Sequence, residues 1–181
     1  MGEKRKVKLA TAWLSGCSGC HMSFLDQDER LIELAEKIQL VYSPLMDAKI
    51  FPDDVDVTLV EGAVGNEEDA DLLRNIRART RILVSLGDCA VTGNIPGLRN
   101  ALEKSVQSVL ERAYMENVDN KPQIPSEDLP KLLENARPLH EFVEVDFYVP
   151  GCPPSADLIN YILTEILAGR RPNMEGKCKY G

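Results

Sequence analysis

The sequence predicts an α/β protein with one open parallel sheet and helices on both faces of that sheet. Apolar stretches typical of strands alternate along the chain with stretches whose apolar residues recur at helical spacing. The run Ile82 to Leu86 is short and apolar except for Ser85, as in a central parallel strand that is covered on both faces. Strands that alternate with helices in this way are parallel and joined by right-handed crossovers.

In the first half of the chain the pattern predicts three strands and two helices. The first helix is indicated by apolar residues at helical spacing, and the second has Asn66 in position for an N-cap. The strand at Val55 should place alternate residues on one face and ends at Glu61 and Gly62. The strands are predicted at Val7–Trp13, Gln39–Tyr42 and Val55–Val60, and the helices at Phe24–Ile38 and Glu67–Arg79.

The second half completes a sheet of five strands, which is the count of the flavodoxin-like fold. We expect one flavodoxin-like domain over residues 1–181, interrupted by a polar, proline-containing excursion near 116–138. After the strand Ile82–Leu86 come a long helix from near Pro96 to Ala113, a last strand at Phe142–Val149, a final helix with an apolar stripe from Leu158 to Leu167 ended by Gly169, and a polar C-terminal tail at 170–181.

Size and composition narrow the classes of function. A chain of 181 residues with 44% hydrophobic and 28% charged residues is ordinary for one globular domain. The net charge of −8 argues against a nucleic-acid partner, which would need a basic face. No apolar run approaches the roughly 18 residues of a membrane span, and the charged N-terminus leads straight into a strand, so we expect a cytoplasmic location.

Cys17 and Cys20 lie in the turn between the first strand and the first helix. Gly16 and Gly19 suit such a turn, because glycine lets the backbone approach a bulky group closely. The helix that starts nearby favours thiolate over thiol through its unpaired N–H groups. Reactive or metal-binding sulfur is expected, but the pair alone fits a redox dithiol, a zinc site or an iron–sulfur cluster.

The remaining cysteines favour the cluster. Cys89 follows the fourth predicted strand and Cys152 follows the fifth, so both lie at the carboxyl edge of the sheet, as Cys17 and Cys20 do. Structural zinc sites usually use two paired motifs, and a thioredoxin-like enzyme would leave Cys89 and Cys152 unexplained. Four thiolates around a cubane need only to converge, so the sequence predicts one [4Fe–4S] cluster held by these four cysteines. Cys178, in the tail, is expected to be spare.

Other chemistry-bearing residues carry weaker predictions. Glu61 follows a strand at the same edge and is expected either beside the cluster, where it could relay protons, or in solvent as a loop carboxylate. His21 follows Cys20 and is expected on a helix surface, with a hydrogen bond near a sulfur as the alternative, while His140 is expected in a loop. Trp13 is expected in the core, with an interface as the alternative. We assign no catalytic residue.

A flavin is the second cofactor to consider. Flavodoxin-like folds bind FMN at the switch point of the sheet, where the loop after the first strand lies. In this chain that loop carries Cys17 and Cys20. FMN could therefore bind only in a neighbouring groove.

Three motifs in this order carry a family resemblance: Trp13-Leu14 before Gly16-Cys17-Ser18-Gly19-Cys20, then Gly87-Asp88-Cys89-Ala90 with Gly93, then Pro150-Gly151-Cys152-Pro153-Pro154. They resemble the small, electron-transferring subunits of [NiFe] hydrogenases, and more narrowly the cytoplasmic NAD-reducing type. The resemblance implies a [4Fe–4S] cluster nearest the nickel–iron site of a separate large subunit. It also implies diaphorase partners with further iron–sulfur clusters, FMN and NAD, and no activity toward hydrogen by this chain alone.

Two alternatives stay open. The cluster-bearing subunit of respiratory complex I is related, but that family carries adjacent cysteines and this chain has no such pair. A stand-alone flavodoxin-like electron carrier is a binding module without a large subunit. A large exposed apolar patch would favour the subunit, because a carrier must stay soluble alone.

Overall fold

Five parallel strands form the central sheet of the computed structural model, which describes residues 5–102 and 105–180. The strands are β1 (Val7–Trp13), β2 (Ile38–Tyr42), β3 (Val55–Glu61), β5 (Thr80–Leu86) and β7 (Phe147–Val149), and a separate small sheet contains β4 and β6, at Val64–Asn66 and Leu132–Arg137. The spatial order in the central sheet is β2-β1-β3-β5-β7, and every neighbouring pair is parallel. The α/β fold with an open parallel sheet is therefore confirmed.

Helices cover the sheet on both faces and make two apolar clusters. One cluster joins Leu9 and Val57 of the sheet to Ile162 of α7 (Ala156–Leu167), and the other joins Val60 to Leu73 and Ile76 of α3 (Glu67–Arg79). Every residue of β3 is buried, so the opposite face of this strand is covered as well. A central strand with helices on both sides has no solvent face.

The first predicted helix, Phe24–Ile38, is in fact two helices. α1 covers Gly19–Leu25, α2 covers Arg30–Lys37, and Ile38 already belongs to β2. Asp28 between them has a φ of 51°, in the left-handed region that a helix cannot include. The first of the two helices starts at Gly19, inside the cysteine motif.

The long helix predicted from Pro96 to Ala113 is also broken. The chain here forms α4 (Asp88–Thr92), α5 (Asn94–Gly97), a 3₁₀ turn (Leu98–Ala101), α6 (Ser105–Glu111) and a π-helical turn (Arg112–Glu116). Asn100 explains part of the break, because its side chain donates to the Ala136 carbonyl at 2.7 Å and accepts from the Ala136 amide at 2.9 Å. These contacts hold the chain against β6 instead of letting it continue as one helix.

The excursion near 116–138 contains a strand that periodicity did not predict. This strand is β6, and it pairs antiparallel with β4 in the separate two-stranded sheet. The last strand of the main sheet starts at Phe147 instead of Phe142. The amides of Phe142 and Val143 donate to the Leu139 carbonyl at 3.0 and 3.2 Å, which continues the 3₁₀ turn at Leu139–Glu141.

The chain beyond α7 packs partly against the core, in a segment that the sequence predicts to be a polar tail. Gly169 ends the helix as predicted, with a φ of 71°. Met174 and Cys178 then pack against the core cluster that contains α7. Within the described residues, no helix is both long enough and apolar enough to cross a membrane.

Candidate metal centre

Three loops at the carboxyl end of the sheet bring the predicted cysteines together. Cys17 lies just before α1, Cys20 and Cys89 lie in the first turns of α1 and α4, and Cys152 lies in the loop between β7 and α7. All four line one cavity of about 90 Å³. The same cavity is lined by Gly16, Gly19, Glu61, Gly62, Asp88, Gly151 and Pro153.

The loop after β1 is held against the loop after β3. Ser15 and Ala63 exchange backbone hydrogen bonds of 3.1 and 2.7 Å. Gly62 has a φ of 87°, and a Cβ there would lie 2.8 Å from the Leu14 carbonyl carbon, so the loops can approach this closely only with glycine. This contact brings the turn that carries Cys17 against the end of β3, so that Cys17 and Glu61 line the same cavity.

Gly87 lets the loop after β5 come close to Cys20. Its φ is 83°, and a Cβ at this position would overlap the Cys20 sulfur. Its amide donates to the Val149 carbonyl at 2.7 Å, which continues the pairing of β5 with β7 into the loops. The turn that carries Cys89 is thus set by a residue that leaves room for a second cysteine.

Asp88 joins the Cys89 loop to the Cys152 loop. Its amide donates to the Gly151 carbonyl at 2.9 Å, and its buried carboxylate accepts from the Gly151 amide at 2.6 Å. Ser23 of α1 donates to the Pro154 carbonyl at 2.6 Å and holds the same loop from the other side. Hydrogen bonds between the loops therefore hold together the three loops that carry the four cysteines.

The thiols interact electrostatically, as converging groups should. Burial raises the pKa of the Cys20 thiol, and Glu61, Cys89, Cys17 and Cys152 raise that pKa further. Burial also raises the pKa of Cys89, and a hydrogen bond from the Ile95 backbone opposes this shift. Without metal these two thiols hold their protons, so iron must displace protons when it binds.

The donor set fits a multi-iron group better than a single ion. Within residues 5–102 and 105–180, no three His, Cys, Asp or Glu side chains are grouped closely enough to hold one metal ion. A tetrahedral zinc at about 2.3 Å from each sulfur needs sulfurs about 3.8 Å apart. Each iron of a cubane takes one thiolate, so a cubane needs its four ligand sulfurs further apart than a single zinc ion does.

His21 and Glu61 form a buried pair that the sequence did not predict. The histidine is 3% exposed, so the expectation of a helix-surface residue was wrong. Its backbone amide donates to Glu61 Oε2 at 2.7 Å, and its Nδ1 lies 2.7 Å from the same oxygen. Glu61 is 2% exposed and lines the cysteine cavity, which excludes the solvated loop carboxylate. Because α1 starts at Gly19, His21 lies in its first turn, where it contacts Glu61 at the end of β3.

The other singled-out residues lie outside the cavity. Trp13 is 37% exposed and not in the core, and its ring meets that of His21 edge to face at 5.3 Å. His140 is exposed in the 3₁₀ turn before β7 and contacts Tyr148. Cys178 is half-buried against the core and does not line the cavity.

Asp88, which does line the cavity, lies inside one of the three motifs, but no sequence signal indicated its bond to Gly151.

The family model of the NADH ubiquinone oxidoreductase 20 kDa subunit matches residues 17–166, which contain all four cavity cysteines. The chain belongs to this family. Within it the chain is 39% identical over 170 residues to the NAD-reducing hydrogenase HoxS subunit delta of Cupriavidus necator, covering 91% of this chain and 80% of that one. The resemblance to hydrogenase small subunits is thereby confirmed.

Three further comparisons set the limits of this likeness. The chain is 39% identical over 173 residues to a subunit of the F420-non-reducing hydrogenase of Methanocaldococcus jannaschii, and it spans 59% of that relative's length. A solved NAD⁺-reducing [NiFe]-hydrogenase in the H₂-reduced state has a chain that matches with a TM-score of 0.93 and 42% identity, over 98% of this chain and 100% of that one. A [NiFeSe]-hydrogenase chain at 18% identity and a TM-score of 0.59 shares the fold.

Proposed function

We propose that this chain is the small, electron-transferring subunit of a NAD-reducing [NiFe] hydrogenase. One observation carries the proposal: thiols from three separate loops line a single cavity, in a chain that matches a NAD⁺-reducing [NiFe]-hydrogenase chain over nearly its whole length. The proposed place of work is the cytoplasm.

Cys17, Cys20, Cys89 and Cys152 are the proposed ligands of one [4Fe–4S] cluster. When bound, such a cluster supplies one-electron transfer. Because four thiolates leave its irons without vacant positions, the splitting of hydrogen belongs to the nickel–iron site of a large subunit. The residues of this chain bind the cluster, orient the ligand loops and keep part of the site dry.

Glu61 is proposed to act beside the cluster. Its carboxylate lines the cysteine cavity and is held in place by two contacts from His21. A buried carboxylate at this place can accept a proton that moves near the cluster, so proton relay is the role we propose for it.

The large subunit is proposed to cover the carboxyl edge around Cys17, Cys89 and Cys152. Exposed apolar side chains follow the first two of these cysteines along the chain: Met22 on α1, and Ile95 and Leu98 after α4. Permanent interfaces bury apolar surface of this kind, whereas a stand-alone carrier would leave it in water. Diaphorase subunits with further iron–sulfur clusters, FMN and NAD are the proposed electron acceptors. We assign no FMN to this chain, because the loop after β1 carries cysteines instead.

Co-expression tests the proposal. The chain alone should bind about four irons and four sulfides per molecule and should show no hydrogen-dependent dye reduction. Co-expression with its large subunit should produce that activity, and acid extraction should release no flavin from this chain. Zinc without sulfide would contradict the cluster, and sustained hydrogen oxidation by the chain alone would contradict the division of roles.

A further inference from the structure

A second cavity lies against the Cys152 loop. We call it the C-terminal groove, and it has a volume of about 400 Å³. Gly151, Cys152 and Pro153 line both this groove and the four-cysteine cavity, so the two share one wall. The other lining residues are Pro150, Pro154, Ser155, Leu158, Lys177, Lys179 and Tyr180.

The chain segment that carries the lysines is fixed to α7. The Tyr161 hydroxyl donates to the Asn173 carbonyl at 3.3 Å and accepts from the Asn173 amide at 3.2 Å. The Lys177 ammonium lies 4.9 Å from the centre of the Tyr161 ring. Met174 and Cys178 pack on the core on either side of this lysine. A partner that binds here therefore meets a surface that is already ordered, which lowers the entropic cost of binding.

The charge of the groove is opposite to that of the chain. The chain has a net charge of −8, yet the charged side chains among the described lining residues are Lys177 and Lys179. The N-terminus of α7, capped by Ser155, adds partial positive charge at the same place. Asp157 in that first turn is paired with Arg30 at 2.7 Å, and the exposed Glu175 does not line the groove. Such a surface favours a partner with an acidic face.

The groove differs in chemistry from the apolar residues assigned to the large subunit. Cys152 follows β7, the edge strand, whereas Cys17 and Cys20 follow β1, with β3 and β5 between these two strands. Met22 belongs to the β1 side. A polar, basic surface next to one ligand and an apolar surface next to others suggest two different occupants.

We infer that the C-terminal groove is the docking surface for the redox protein that exchanges electrons with the cluster, and that this partner places carboxylates against Lys177 and Lys179. The inference rests on the proposed function and adds where the second partner binds. The step is a one-electron transfer: the reduced cluster is oxidised and the partner's one-electron centre is reduced, with no bond formed or broken. Cys152 is the ligand that both the cluster cavity and the groove contain, so it is the nearest covalent route out of the cluster.

Carbodiimide coupling of the purified complex tests the contact directly. This reagent joins a lysine to a carboxylate that touches it, and mass spectrometry then identifies both peptides. We expect links from Lys177 or Lys179 to acidic residues of a subunit other than the large one. The double variant Lys177→Arg with Lys179→Arg keeps the charge but cannot couple, so it should lose the links and keep activity within about twofold.

Charge reversal tests the function of the contact. In the complex carrying Lys177→Glu with Lys179→Glu, hydrogen-dependent NAD reduction should fall at least about tenfold and lose most of its salt dependence. Hydrogen-dependent reduction of a viologen dye should stay within about twofold, because a small dye needs no protein docking. Lys121→Glu with Lys131→Glu, two exposed lysines outside the groove, is the matched control and should leave both activities unchanged.

The outcomes separate the two proposals. Unchanged NAD reduction in the charge-reversed complex would overturn the docking surface, and so would links from Lys177 or Lys179 to the large subunit only. Loss of both activities together with loss of the large subunit would assign the groove to that subunit and likewise overturn the inference. If the unmodified complex reduced no dye with hydrogen, the proposed function itself would fail, whereas the cross-linked peptides would still report what occupies the groove.

Discussion

The two ends of the central sheet differ in how their polar groups are arranged. At the amino end, charged side chains from loops and helices are paired: Arg5 with Asp56 at 2.8 Å, and Arg79 with Asp53 at 2.6 Å. Asp56 also accepts from the Lys8 amide at 2.9 Å. These charged groups therefore have partners within the chain.

At the carboxyl end, the polar groups are arranged around a space instead. Four thiols that form no disulfide line a cavity with the buried carboxylates of Glu61 and Asp88, and glycines with positive φ bring the loops together. Burial raises the pKa of the Cys20 and Cys89 thiols, and the two remaining cavity cysteines and Glu61 raise both values further. The comparison teaches that the charged groups at the amino end pair with one another, whereas the titratable groups at the carboxyl end line one shared cavity. Substitutions at the carboxyl end should therefore change cluster content, and those at the amino end should change stability.

The largest effect is expected from Cys20→Ser. Burial raises the pKa of the Cys20 thiol, and its sulfur lies directly against the Gly87 turn. Its loss removes one of four ligands, so iron and sulfide per folded chain should fall at least about tenfold. Iron analysis and visible absorption measure this. Full cluster content in the variant would mean that another residue supplies the fourth ligand.

A pair of glycines gives the next prediction. Gly87→Ala and Gly169→Ala both force a Cβ onto a backbone with positive φ, which costs about 1–3 kcal/mol each in free energy of unfolding. A Cβ at Gly87 also overlaps the Cys20 sulfur, whereas a Cβ at Gly169 meets nothing within 4 Å. We expect cluster loss in the first variant and normal cluster content in the second, measured by visible absorption. Equal cluster content in both would show that the close approach to Cys20 is not needed.

At the amino end, Asp56→Ala should act on stability alone. The substitution leaves the Lys8 amide and the Arg5 guanidinium without their acceptor, so the free energy of unfolding should fall by about 1–3 kcal/mol. Urea unfolding of the cluster-free protein measures this change. Iron per folded chain should match that of the unsubstituted protein, and a drop in iron would contradict the separation of the two ends.

A pH series on the cluster-free protein sharpens the same comparison. Because the pKa of Cys20 is raised above 9.0, the ordinary value for a thiol, the folded state favours the protonated sulfur at neutral pH. Alkylation of Cys20 should be slower in the folded chain than in urea, and it should still accelerate with pH above that value. Peptide mass spectrometry after short alkylation pulses measures both rates. A folded rate equal to the unfolded one would contradict the shift.

The smallest effect is expected from Cys178→Ser. This sulfur packs against the core and lies outside the cysteine cavity, so the cluster's absorption should be unchanged. A half-buried position predicts a loss of about 1 kcal/mol or less in free energy of unfolding. Bleaching of the cluster would show that the ligand set has been assigned wrongly.

The sequence by itself determined the class of fold and the places of the proposed ligands. Apolar periodicity marks strands such as Ile82–Leu86, and in a parallel sheet every strand ends at the same edge, so cysteines that follow strands must gather there. The three motifs also carried the family resemblance, because they lie at those strand ends. These are properties of short stretches, which is why a linear pattern reveals them.

Only the tertiary structure decided what surrounds these cysteines. The His21–Glu61 pair joins residues 40 apart in sequence, and the Asp88–Gly151 hydrogen bond joins residues 63 apart. The pairing of β4 with β6 and the packing of Met174 and Cys178 against the core likewise depend on contacts with distant parts of the chain. Periodicity reports which face of an element is apolar, but it carries no information about which distant residue meets that face. The burial of Glu61 and the position of Lys177 beside the Cys152 loop follow from those meetings alone.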